Sequence, residues 1–167
     1  MIPRLFIFLT YLTLNLATYS QVKQSSNFIN PTGSYKLNSK TEIKHGDTYG
    51  YFGEMKVKLL PNSKIAVSFL VCKGAPSYNS GSFIDTLKFR NNKATYQTPD
   101  DDTSCRITFV FTSKGVILEQ YQADPNFGCG FGHGVFADGF YKKTSAEVPV
   151  IDDLEGKYNG TNGILRK

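Results

Sequence analysis

Charged and apolar residues alternate strictly in Glu54-Met55-Lys56-Val57-Lys58-Leu59, and a period of two recurs along most of the chain. Successive side chains of an extended strand point to opposite faces, so Met55, Val57 and Leu59 share one face and the charges take the other. After a turn at Pro61-Asn62-Ser63-Lys64, residues 65–72 repeat the pattern, with Ile65, Val67, Phe69 and Val71 on one side. A polar loop over 73–81 leads into a strand over 83–90, and Asn91-Asn92 turns it into 94–97. Residues 105–111 place Cys105, Ile107, Phe109 and Phe111 on one face. Lys114-Gly115 turns this strand into 116–121, and a last strand falls at 139–143. Apolar residues at helical spacing are nearly absent. Seven or eight short strands joined by turns predict an all-β chain folded as a small antiparallel up-and-down β-barrel, because closure removes the exposed edges of a sheet. A two-sheet β-sandwich is the alternative. Phe69, Phe89, Phe109 and Phe111 on inward phases predict a filled interior.

The ends of the chain read differently. Residues 1–20, MIPRLFIFLTYLTLNLATYS, carry one charge (Arg4), an apolar run to Leu16, and small residues at Thr18 and Ser20. That is the layout of a secretory signal cut before Gln21. The apolar run is interrupted by Thr10, Thr13 and Asn15, and it is shorter than the roughly 20 residues of a membrane span. The expectation is an exported protein, periplasmic or extracellular, with no membrane span. Residues 21–32 form a polar lead-in and 33–143 the barrel domain. Residues 144–167 form a C-terminal tail whose apolar island, 148–151, can dock.

Charge is uneven along the chain. Residues 21–96 hold eleven basic and four acidic side chains, a net +7, whereas 97–167 are net −3. A positive face attracts anionic envelope polymers or an acidic partner protein. Nothing resembles a nucleic-acid-binding module.

The residues that could carry chemistry are few. His45 precedes Gly46-Asp47 in a turn, and His133 lies among glycines; no Gly-x-Ser-x-Gly elbow accompanies either. Asp100-Asp101-Asp102 lacks the alternating ligand pattern of a calcium loop. Glu54 and Glu119 fall on outward strand phases, which does not suit paired catalytic carboxylates. Cys72, Cys105 and Cys129 contain no C-x-x-C, so neither a zinc site nor a thioredoxin-type site is indicated. The expectations are therefore no catalytic residues, no metal and no cofactor.

Two loops remain. One, residues 74–82, is uncharged and rich in hydroxyl and amide groups around one tyrosine; it offers Ser77, Tyr78, Asn79 and Ser80. The other, residues 124–134, sets Phe127, Phe131 and His133 among four glycines. Loops on a rigid sheet commonly carry function, and aromatics anchor interfaces. These seven residues are the candidate binding set, with Tyr78 at its centre. A competing role for Phe131 is to plug a barrel end.

The motifs Cys105-Arg106-Ile107-Thr108-Phe109, Cys129-Gly130-Phe131-Gly132 and Gly139-Phe140-Tyr141-Lys142 resemble those of small exported bacterial β modules of lysozyme-inhibitor type. The resemblance implies a small antiparallel barrel, a Cys105–Cys129 disulfide, and the blocking of a cell-wall hydrolase such as lysozyme. The Ser-Gly-Ala-Lys/Arg-Tyr loop of the membrane-associated inhibitors has no counterpart beyond Ser80-Gly81-Ser82-Phe83. The strand reading accommodates the same pairing. A chain leaving along 105–111 and returning along 116–121 comes back beside Cys105, and about eight further residues reach Cys129. Cys72, at the end of an apolar run, is then a buried thiol. The expected function is a non-catalytic exported binding protein. The alternatives are a lipocalin-like carrier of a small apolar ligand, which an eight-stranded barrel can enclose, and, further off, a secreted hydrolase.

Overall fold

The computed structural model describes residues 27–98, 105–122 and 128–151. Its strands are β1 (Gly33–Leu37), β2 (Glu42–Lys44), β3 (Asp47–Leu60), β4 (Lys64–Gly74), β5 (Ser80–Arg90), β6 (Lys93–Gln97), β7 (Cys105–Phe111), β8 (Gly115–Gln122) and β9 (Gly139–Ser145). From β3 to β9 each strand pairs antiparallel with the next, and β1 inserts between β9 and β3 to close the ring. Strand β2 is the extra one. It pairs with residues 47–49 of β3, while β1 pairs with residues 54–57 of the same edge, so β1 and β2 line one long strand in two pieces. The result is a closed eight-stranded antiparallel barrel with one short additional strand, and the sandwich alternative is set aside.

The alternation read in the sequence is the alternation of the wall. Ile65, Val67, Phe69 and Val71 are buried, as are Cys105, Ile107, Phe109 and Phe111. Their rings fill the interior: Phe69 lies 5.2 Å from Phe83 and 5.7 Å from Tyr141, and Phe89 meets Phe111 edge-on at 5.4 Å. Each large apolar side chain so buried contributes about 1.5–3 kcal/mol.

The two ends of the barrel differ. One is closed by short turns. Asn91 and Asn92 both adopt left-handed backbone (φ 51° and 60°), the twist that suits a two-residue hairpin. The segment preceding β1 lies over this end: Ile29 N–H donates to Asn92 Oδ1 (2.9 Å), and Leu59 N–H donates to Thr32 Oγ1 (3.0 Å). Phe28 also meets Phe89 edge-on at 6.3 Å. Residues 27–32 thus pack as part of the barrel rather than trailing as a polar lead-in. In the tail, β9 runs on to Ser145, and of the apolar island only Ile151 is buried, against Ala66 and Leu60. The other end carries the longer connections and forms a rim.

Strands extend further than side-chain alternation indicated. Strand β3 begins at Asp47 rather than Glu54, and β4 and β5 run to Gly74 and from Ser80. The polar stretch over 73–81 therefore contracts to a loop over 75–79, because Tyr49 pairs with Gly74 and Cys72 with Ser80 through the backbone. Strand pairing is a main-chain property. It persists where neither face is apolar.

Candidate functional site

The rim gathers the β2–β3 turn, the β4–β5 loop and the segment before β9. At the centre of the β4–β5 loop is Tyr78, with left-handed backbone (φ 52°) and its N–H on Gly74 O at 2.9 Å. The residue is 42% exposed. Its hydroxyl is engaged: it donates to Asp47 Oδ1 (2.8 Å) and accepts Thr48 N–H (3.0 Å). The hydrogen bond to the Asp47 carboxylate holds the Tyr78 pKa above the ordinary tyrosine value, because ionisation would remove the proton that makes it; the Thr48 N–H pulls the other way more weakly. Tyr78 thus latches the β4–β5 loop to the β2–β3 turn while presenting its ring to solvent.

The two loops singled out in the sequence meet. Asn79 Nδ2 donates to His133 O at 3.0 Å, Lys73 Nζ reaches the same carbonyl at 3.4 Å, and Gly132 N–H donates to Ser80 O at 2.9 Å. Tyr51, on β3, sends its hydroxyl to Gly134 O at 2.6 Å, and burial raises its pKa. The glycine-rich loop is fixed from below by the Cys105–Cys129 disulfide, Cα–Cα 4.9 Å, within a short 3₁₀ turn at Gly128–Gly130. Cys72 is the remaining thiol, buried at the end of β4.

Of the seven candidate residues, Ser77, Tyr78, Ser80 and His133 are exposed on this rim, and Asn79 is half-buried between the loops. Phe131 departs from the binding expectation. It is only 5% exposed and stacks on Phe69 at 6.2 Å, with its ring over the Cα of Gly81. It is the plug of this end of the barrel, held inward by the same apolar attraction that fills the interior. Phe127 lies outside the described residues. Sequence reasoning missed Asp47, Thr48, Tyr51 and Lys73, which hold the rim together. Their signal is weak, because of the four contacts just described all but the Tyr78–Asp47 bond begin or end on a backbone atom. Tyr49 and Phe136, each 38% exposed, add aromatic surface at this end.

Among the described residues no three His, Cys, Asp or Glu side chains come together as a metal site requires, and no helix is long and apolar enough to cross a membrane. Glu54 and Glu119 are exposed on the outer wall. The fold and the rim define a filled, closed antiparallel β-barrel with one end built from interlocked loops. Compared with protein-family models, with curated proteins and with solved structures, the chain matches none.

Proposed function

We propose that the chain is an exported, non-catalytic binding protein that grips a partner protein with the rim around Tyr78 and His133, and that the partner is a cell-wall hydrolase of the lysozyme class. The observation that carries this reading is the interlock of the two loops through His133 O and Ser80 O. It holds an exposed tyrosine and an exposed imidazole on a surface that loses little freedom on association, and pre-organisation lowers the cost of binding. The disulfide beneath the loop suits an oxidising compartment. The aromatic filling of the interior favours surface recognition over an enclosed ligand, which weighs against a carrier.

The test is direct. Purified protein is titrated into a panel of peptidoglycan-cleaving muramidases while clearance of peptidoglycan is followed, with binding read in parallel by calorimetry. The expected result is stoichiometric slowing of at least one enzyme, with affinity falling tenfold or more in Tyr78→Ala. A loss below about 1 kcal/mol would remove Tyr78 from the interface core. Absence of binding to every enzyme in the panel, by folded protein, overturns the hydrolase assignment.

A further inference from the structure

The barrel wall is not zipped uniformly. Strand β5 pairs with β4 from Lys64↔Lys88 to Cys72↔Ser80, and β6 pairs with β7 along its whole length. Between β5 and β6 the ladder holds only Phe89↔Ala94 and Arg90↔Lys93. Beyond those pairs the two strands part.

The register shows which peptide groups face the opening. Phe89 N–H donates to Ser63 O (2.8 Å), so the inward residues of β5 spend their peptide groups on β4, and by alternation those of Thr86 and Lys88 point toward β6. Phe111 N–H donates to Asn92 O (2.8 Å), so on β6 the peptide groups of Thr95 and Gln97 point back toward β5. One of these donors is covered locally, since Thr86 N–H donates to Asp85 Oδ1 at 2.7 Å. The groove between the edges, about 430 Å³, is lined by Thr86, Lys88, Arg90, Lys93, Thr95 and Gln97, with one carboxylate, Asp85, which accepts the Thr86 N–H, against three cations. Leu87 and Ala94 line its inner side, and on the interior of the barrel Phe83 of β5 stacks on Tyr96 of β6, ring centroids 3.8 Å apart and 7° from parallel, bridging the two strands. A guest therefore lies in the wall rather than within the barrel.

Charge defines the guest further. Lys88, Arg90 and Lys93 are exposed, and among the described residues none of them forms an ion pair. Lys64 sits directly opposite Lys88, and Arg90 opposite Lys93. Like charges facing across strands are destabilising, and an anion relieves them.

We propose that this groove is a strand-addition site for an acidic, extended peptide segment of a partner protein. The guest backbone pairs with the Thr86 and Lys88 edge on one side and the Thr95 and Gln97 edge on the other, and its carboxylates face Lys88, Arg90 and Lys93. Two antiparallel edges offer donors and acceptors at strand spacing, which a polypeptide matches in register and a polyphosphate does not. The site is on the wall, separate from the Tyr78 rim.

The probe is the peptide acetyl-Glu-Thr-Glu-Val-Glu-Thr-Glu-amide, labelled for anisotropy and titrated into the whole chain, with amide exchange read by NMR. The expected result is saturable binding with slowed exchange at Lys88, Thr95 and Gln97. Affinity falls at least tenfold when alternate peptide nitrogens are methylated, at least tenfold in the Lys88→Glu/Arg90→Glu variant, and not at all in Tyr78→Ala. Equal binding of the methylated peptide, or of inorganic polyphosphate with those amides unprotected, reduces the groove to a basic patch and overturns strand addition. Failure of the acidic peptide to bind overturns it as well.

Discussion

At the scale of single residues, the rim depends on two contacts that a sequence cannot display. A Cβ at Gly81 would stand 2.2 Å from Phe131 Cγ, so glycine is required by close approach. Gly81→Ala is expected to cost about 1–3 kcal/mol by overpacking, and Phe131→Ala about 3–5 kcal/mol by emptying the plug. Because the two share one space, the double variant costs less than the sum, which thermal or urea unfolding of the four proteins checks. The second contact is the Tyr78 latch. A phenol whose folded pKa is raised keeps its stabilising bond below the ordinary value near 10, and loses it as pH rises through the raised one. Exchange of the Thr48 amide, which donates to the Tyr78 hydroxyl, should accelerate beyond the intrinsic pH dependence in that range. Tyr78→Phe removes that extra dependence. A Thr48 amide that exchanges alike in both proteins refutes the latch.

At the scale of elements, the disulfide ties the first residue of β7 to the rim loop across 24 positions. Replacing Cys105 and Cys129 by serine is expected to lower stability by about 3 kcal/mol, on the loop-closure account. Exchange should also rise locally at residues 128–134, more than in β4. An unchanged loop would show that Tyr51, Asn79 and Phe131 suffice to hold it. Much of the wall was legible in advance. The inward faces of β4 and β7 follow from Ile65, Val67, Phe69 and Val71 and from Ile107, Phe109 and Phe111, because burial on one face imposes alternation. Strand β2 was not legible: all three of its residues are exposed, so no face selects their character. The start of β3 was hidden because residues 50–53 are half-buried on both faces and show no alternation. At the rim, composition marked both loops but not their meeting. The bonds that join them end on His133 O and Ser80 O, and a carbonyl is the same whatever residue carries it.

At the scale of the whole molecule, filling and closure set both the pH limits of the fold and the way it forms. Burial pushes the Tyr35 phenol up to about 12, and raises Tyr141 further. Both hydroxyls donate to carbonyls, Tyr35 to Pro31 and Tyr141 to Ala137. A buried phenol that resists ionisation contributes stability in full below pH 10 or so, and that contribution drains away as pH climbs through the raised values. Urea unfolding between neutral and strongly alkaline pH should show a steep alkaline loss, shallower in Tyr141→Phe. A variant that retains the whole slope would place its origin elsewhere. The insertion of β1 between β3 and β9 has a kinetic counterpart. The pairings Leu37↔Tyr141 and Lys36↔Lys142, with the bond from Lys143 Nζ to Asn30 O spanning 113 residues, join the two ends of the described chain. A ribosome delivers β1 early and β9 late. Until β9 emerges, β1 can zip to β3 but keeps its other edge bare, and the meander from β3 to β8 is a curled sheet with an unsealed seam. Contacts between such distant segments slow folding, since the loop they close must be ordered before they repay it. The rate at which this barrel appears is therefore governed by an encounter between its termini, and an interacting strand that reaches the open seam first competes with β9 for the same edge.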